Sequence, residues 1–169
     1  MPRPAVLLPS TPPAPPFTVR PAGPEDADAL AALSRPFVRS GALRERPPSL
    51  YAAQAADFLV AEAPDGTLDG CLGLGVHRAG QPGGRTAGVV YNFCVGLHRQ
   101  GSGTGARLLD AALGRARTCS LDTLFTATTG SGRLFLRYGF TPAAAGDAPA
   151  AWARSLDPRR NARVLALSL

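Results

Sequence analysis

The segment Val95-Gly96-Leu97-His98-Arg99-Gln100-Gly101-Ser102-Gly103-Thr104-Gly105-Ala106 carries the most specific chemistry in these 169 residues. Glycines at alternate positions let a backbone approach a ligand closely. A helix starting among them aims unpaired N–H groups and a positive dipole end at the same spot. Such a turn binds a phosphate. A flexible connection is the other reading, but alternate glycines at a strand-to-helix junction carry an entropic cost that a plain linker has no need to incur. A Walker loop needs a Lys, and the chain has none. The dinucleotide fingerprint G-x-G-x-x-G/A is formally met by Gly101, Gly103 and Ala106, with Asp122 a suitable distance on. Asp122, however, begins the next predicted strand, whereas a ribose-binding acid belongs at a strand's end, and too little chain follows for a dinucleotide half-fold plus a substrate domain.

Other reactive side chains are scattered. His77 at a strand end and His98 within the loop suit surface roles. Cys71, Cys94 and Cys119 are odd in number, widely spaced and without a C-x-x-C pair, which argues against a disulfide framework or a zinc knuckle and fits a reducing cytoplasm. No metal site is expected.

The elements that must hold the loop follow from patterning. Phe17-Thr18-Val19-Arg20 alternates like a first strand, and Pro24-Glu25-Asp26 opens a helix running to Leu33. A second, shorter helix is predicted over Leu50 to Ala56. The strands Asp57 to Glu62 and Gly70 to His77 flank Pro64-Asp65-Gly66, which is turn chemistry, so they should form an antiparallel hairpin. After the glycine-rich loop Gly80 to Gly84, the nearly all-apolar run Ala87 to Leu97 predicts a strand buried in mid-sheet. Ala106 to Arg117 is the clearest helix, with Leu108, Leu109, Ala112, Leu113 and Ala116 on one face. A strand over Leu121 to Thr126, a short helix over Gly132 to Arg137, a strand from Phe140 and a last strand from Arg163 to Leu167 complete the series. The predicted fold is α/β in the α+β sense: a mixed sheet with helices on both faces.

The length suits one domain, over residues 17–169, with Met1 to Pro16 a disordered Pro-rich leader. No apolar run approaches the roughly 18 residues that cross a bilayer. The net charge of +6 comes from eighteen basic residues that are all Arg, in a chain that also lacks Ile. Both absences match the codon bias of a GC-rich genome. The Arg excess is therefore poor evidence for a nucleic-acid partner, and dispersed surface charge or an anionic small ligand explains it better.

The loop also fits a third pattern, Q/R-x-x-G-x-G/A after a strand with an apolar residue five places earlier, through Gln100, Gly103, Gly105 and Val95. That is the pyrophosphate loop of the GNAT superfamily of N-acetyltransferases. The chain resembles this superfamily from Phe17 to about Pro142, including Phe135 and Tyr138-Gly139-Phe140. The resemblance implies a mostly antiparallel sheet splayed beside the central strand by a bulge near Phe93 to Val95. Acetyl-CoA would lie there on Phe93, Cys94, Val95, Gln100 to Ala106 (with Gly101, Ser102, Gly103, Thr104 and Gly105) and Phe135. Unpaired backbone groups would hold the pantetheine arm and polarise the thioester.

Arg35-Pro36 with Ser40 to Arg46, Thr128-Thr129-Gly130-Ser131, and Arg160-Asn161-Ala162-Arg163-Val164-Leu165 are similar to the acetyltransferase domain of N-acetylglutamate synthases. That likeness implies a small amino acid as acceptor, glutamate first, and hence a place in arginine biosynthesis. Arginine forks bind carboxylates bidentately, so Arg44 or Arg46 with Arg160 and Arg163 would clamp the acceptor, and Ser131 would serve the leaving thiolate. Val89 stands where those synthases carry their general base, and Tyr91, on the same strand face, could order a water chain instead. Ala162 replaces a substrate-touching Ser. Two alternatives follow: a GNAT enzyme of another amine (drug, polyamine or protein N-terminus), or a CoA-binding module without catalysis. Similar proteins commonly pair through C-terminal strands, which makes a homodimer the expected form of any assembly.

Overall fold

The computed structural model describes residues 17–78 and 83–169, so the leader expected over 1–16 and residues 80–82 of the glycine-rich loop lie outside the described residues. Seven strands form one sheet: β1 (Thr18–Pro21), β2 (Phe58–Glu62), β3 (Leu68–His77), β4 (Ala87–Val95), β5 (Thr123–Thr128), β6 (Thr141–Pro142) and β7 (Arg163–Ser168). Their spatial order is β1-β2-β3-β4-β5-β7-β6. Among the described residues only β4 and β5 run parallel, and every other neighbouring pair is antiparallel. The predicted hairpin is present: Thr67 donates to Asp65 Oδ1 at 2.9 Å, and Gly66 takes a φ of 87° that only glycine adopts cheaply.

Alternation along β2 divides the core. Leu59 and Ala61 face one apolar cluster, whereas Phe58 and Val60 face another. The first cluster is completed by α3 (Thr104–Thr118), whose Leu108, Leu109, Ala112, Leu113 and Ala116 are all buried, as the helical spacing requires. A Leu fully removed from water contributes roughly 1.5–3 kcal/mol, so this stripe fixes the helix on the sheet. The second cluster lies beneath α1 (Ala27–Arg39) and α2 (Pro48–Ala53). Helices therefore cover both faces.

Two elements depart from expectation. The helix predicted to stop at Leu33 continues through Pro36 to Arg39, although an interior proline removes one hydrogen bond. Docking of α1 on α2, β3 and β4 outweighs that loss. Besides α4 (Arg133–Arg137), the chain forms α5 (Ala150–Ser155), absent from the sequence reading because six residues are too few to show a period. Trp152 of α5 packs near Phe125, with ring centroids 6.4 Å apart.

Candidate functional site

The central parallel pair separates partway along. β4 and β5 pair only from Ala87 and Thr123 to Val90 and Thr126, where Thr126 Oγ1 donates to the Val90 carbonyl at 3.0 Å. Beyond that rung β4 continues to Val95 on β3, while β5 continues to Thr128 on β7. Two strands that each keep their outer partner but lose one another leave a notch edged with main-chain donors and acceptors.

Asn92 sets the opening. Pairing jumps from Gly73 with Tyr91 to Cys71 with Cys94, so two residues of β4, Asn92 and Phe93, oppose one of β3. Asn92 takes a φ of 47°, a region that Asn tolerates better than most residues. Its buried amide donates to Ser34 Oγ at 3.0 Å, and its side-chain oxygen accepts from Tyr51 at 3.1 Å and from Arg46 at 3.0 Å. The bulge begins one residue before the segment expected. It also shifts the in-out alternation, so that Phe93 joins Val90 in the first apolar cluster and Cys94 joins Tyr91 in the second.

On one side of the notch lies a cleft of about 740 Å³ lined by Phe93, Cys94, Val95, Gln100, Gly101, Gly103 to Ala106, Thr128 and Phe135. Gly101 and Gly103 have φ of 80° and 84°, and a Cβ on either would meet nothing within 4 Å. These glycines are required by backbone conformation, with the space above them left open. Gly103 caps α3, and the first helical bond runs from Arg107 N to the Gly103 carbonyl, so the amides of Thr104, Gly105 and Ala106 have no intrahelical acceptor. The loop is pinned from below. Gly96 N donates to the Asp69 carbonyl at 2.7 Å, while the buried Asp69 carboxylate meets His98 Nε2 and Arg99 Nε, each at 3.1 Å. The Arg99 contact is misaligned for a hydrogen bond and acts as an ion pair. Asp122 lies at the opposite end of the sheet, accepting from Thr86 N at 2.8 Å, where it cannot meet a ligand of the glycine loop.

A second cleft, of about 600 Å³, shares Tyr91 and Asn92 with the first and is otherwise lined by Arg44, Arg46, Gln54, Asp57, Val89, Arg160 and Ala162, among others. Arg46 is the cation that contacts both Tyr91 and Asn92. The guanidinium donates to Asn92 and lies over the Tyr91 ring, 5.2 Å from the centroid, and burial lowers its pKa from the ordinary value. It meets no carboxylate among the described residues. Arg44 donates to the Ser155 carbonyl at 2.9 Å, and Arg160 holds the Gly41 and Ala42 carbonyls at 3.0 Å each, clasping the segment after α1 to the turn before β7. The Tyr91 hydroxyl donates to Asp57 Oδ2 at 2.7 Å. Burial, and then that carboxylate, push the phenol far above its usual range, so Tyr91 serves as a donor and not as a base.

Most residues singled out from the sequence thus converge on the two clefts, with three exceptions. Ser102 is exposed and its hydroxyl is engaged within the loop by the Arg99 carbonyl and Thr104 Oγ1. Ser131 is exposed and lines neither cleft; its carbonyl accepts from Arg163 at 2.6 Å. Arg163 also donates to the Gly130 carbonyl and so braces this turn outside the second cleft. Phe135 lines the first cleft, edge-on to Phe93 with centroids 5.6 Å apart. Sequence reasoning missed Asn92, Asp69 and Asp57. An Asn in the middle of an apolar strand was the one available signal, since such a residue either finds buried partners or marks a bulge.

No family model matches the chain. It is 32% identical over 125 residues to an amino-acid acetyltransferase of Ralstonia nicotianae, covering 74% of this chain and 26% of that protein. It superposes with a TM-score of 0.80 on N-acetylglutamate synthase from Neisseria gonorrhoeae, solved with coenzyme A and N-acetyl-glutamate, at 27% identity, covering 90% of this chain and 35% of that one. A Mycobacterium tuberculosis protein solved in complex with CoA shares the fold, with a TM-score of 0.74 and 24% identity, covering 90% of this chain and 99% of the other. The chain spans about a quarter of the curated relative and about a third of the Neisseria enzyme.

Proposed function

Because the chain belongs to the GNAT superfamily of N-acetyltransferases, we infer that it moves acetyl from acetyl-CoA to the α-amine of a small amino acid bearing a second carboxylate, with glutamate the first choice. The observation that carries this reading is the meeting of two chemically different clefts at Tyr91 and Asn92. One is edged by unpaired main chain and by a glycine loop open to an anion, and the other presents Arg44, Arg46 and Arg160 alongside the carboxylates Glu45, Asp57 and Asp157.

The residues fit acetyl-CoA. A diphosphate would take the amides around Gly101 to Ala106 at the positive end of α3, and the pantetheine arm would pair with the free edge of β4 beyond Val90. When bound there, the thioester supplies the activated acetyl group. Arg46 and Arg160 hold the acceptor's carboxylates, bringing its nitrogen toward the notch, so much of the rate comes from positioning. A carboxylate is the partner that the half-buried Arg46 lacks among the described residues.

The test is release of free thiol when the purified chain is mixed with acetyl-CoA and a panel of amines. Turnover of glutamate or a similar dicarboxylic amino acid, lost on Arg46→Ala, is expected. Turnover confined to polyamines, drugs or peptide N-termini would overturn the acceptor assignment, and CoA binding with no turnover of any amine would overturn the enzymatic reading.

A further inference from the structure

An amino-acid acceptor arrives at neutral pH as an ammonium, which has no lone pair for attack on a thioester, so a group in the cleft must remove a proton. The β4 position two residues before Tyr91 cannot do so, because it holds Val89, 1% exposed. Of the carboxylates that line the cleft, Glu45, Asp57 and Asp157, the one held by Tyr91 is Asp57, in the turn between α2 and β2.

Three features build a site around it. Tyr91 donates to Asp57 Oδ2 at 2.7 Å, with Gln54 Oε1 3.4 Å from the same phenol, leaving Asp57 Oδ1 without a hydrogen-bond partner among the described residues. The floor under the Tyr91 ring is cleared by Gly73, where a Cβ would lie 2.8 Å from Tyr91 Cζ. A Cβ on Gly75 would lie 3.6 Å from Tyr91 Cε1, 3.8 Å from His77 Nε2 and 3.9 Å from Asp57 Oδ2, so three polar side chains converge over one glycine. From the far side, Arg115 of α3 donates to the Ala56 and Asp57 carbonyls at 3.1 and 3.2 Å, fixing the turn.

We propose that Asp57, oriented by Tyr91, is the base that takes the proton from the acceptor's ammonium through water in the cleft. This rests on the acetyl-transfer reading. An N–H bond breaks and its proton passes by way of water to Asp57 Oδ1. The freed lone pair forms the N–C bond, the C–S bond breaks, and the sulfur leaves with the second proton that the nitrogen sheds. Asp57 then returns its proton to solvent. Tyr91 is a positioning residue, since its phenol stays protonated. The other charged groups facing the site are Arg44, Glu45 and Arg46 after α1, His77 at the end of β3, and Asp157 and Arg160 before β7.

The experiment is the pH dependence of kcat/KM for the best amino-acid acceptor, with CoA affinity measured by calorimetry as a control. Asp57→Asn keeps an acceptor for the Tyr91 hydroxyl but loses the base. It should lower kcat/KM by about 10²-fold at neutral pH. The deficit should shrink as the pH climbs toward that of the free amine, and CoA affinity should hold within roughly twofold of wild type. Asp57→Glu should regain part of the activity and the acidic limb of the profile. It carries the test if the Asn variant does not fold, alongside Tyr91→Phe, which should retain that limb with a smaller loss. An active wild type whose Asp57→Asn profile is unchanged, or lowered equally at every pH, would overturn this assignment alone. A wild type that turns over no amine would overturn it together with the acetyl-transfer reading.

Discussion

The two clefts that meet at Asn92 are built by different means. The glycine-loop side relies on main chain: positive φ at Gly101 and Gly103, the unpaired start of α3, and a β4 edge that has lost its partner. The arginine side relies on side chains delivered from distant parts of the chain, with Arg46 from the segment after α1, Asp57 before β2, Tyr91 on β4 and Arg160 before β7. Main-chain recognition imposes glycines at fixed spacing and tolerates change elsewhere. Side-chain recognition fixes identities and leaves their spacing to the fold.

The largest expected effect attacks the main-chain side. Gly103→Val forces a branched residue into left-handed backbone, which costs roughly 1–2 kcal/mol, and puts a side chain where the phosphates would lie. CoA affinity measured by calorimetry should fall about 10²–10³-fold, at the 1.4 kcal/mol per decade of binding. Because nothing lies within 4 Å of the added Cβ, cooperative unfolding should persist. Unchanged CoA affinity would end the distinction between the clefts.

Next comes Arg46→Ala. Removing a charged donor from a partly desolvated carboxylate site costs about 2–3 kcal/mol, so kcat/KM for glutamate should fall roughly 30–150-fold while CoA affinity stays constant. A parallel loss of CoA binding would show that the clefts are not separable.

A smaller effect should follow from Asp69→Asn, which removes the buried charge under His98 and Arg99. Thermal unfolding should shift down, and CoA should bind about tenfold more weakly as the loop loosens. If only stability changes, the loop holds its shape without that anchor. The smallest effects are expected for Arg163→Ala and Ser131→Ala, each changing glutamate kcat/KM by less than about threefold, because neither side chain reaches a cleft and exposed contacts contribute little. A hundredfold loss in either steady-state assay would restore them to the reaction.

The same division explains what could be read in advance. The glycine-rich turn was legible because Gln100, Gly103 and Gly105 lie close together in the chain and the helix that follows has an unmistakable apolar face. The β2–β3 hairpin was legible from Pro64-Asp65-Gly66 for the same local reason. Asp57 was hidden. It reads as the first residue of an apolar strand, and only the folded sheet brings it under Tyr91, 34 positions away. Arg163 and Ser131 misled because adjacency to an apt motif fixes a residue's neighbourhood and not the direction of its side chain. Asn92 carried a signal, but the bulge it makes depends on Ser34 and Tyr51, which no local window includes.

The clasp of Arg160 onto the Gly41 and Ala42 carbonyls joins residues 119 and 118 positions apart. Contacts of such sequence separation form late, since a large loop must close before any bond rewards it. A refolding chain should therefore form the helix behind the glycine loop earlier than the clasp between the segment after α1 and the turn before β7. Pulse-labelling hydrogen exchange during refolding would reveal that order as protection at Arg107, at the start of α3, before protection at Leu43, and simultaneous protection would refute it.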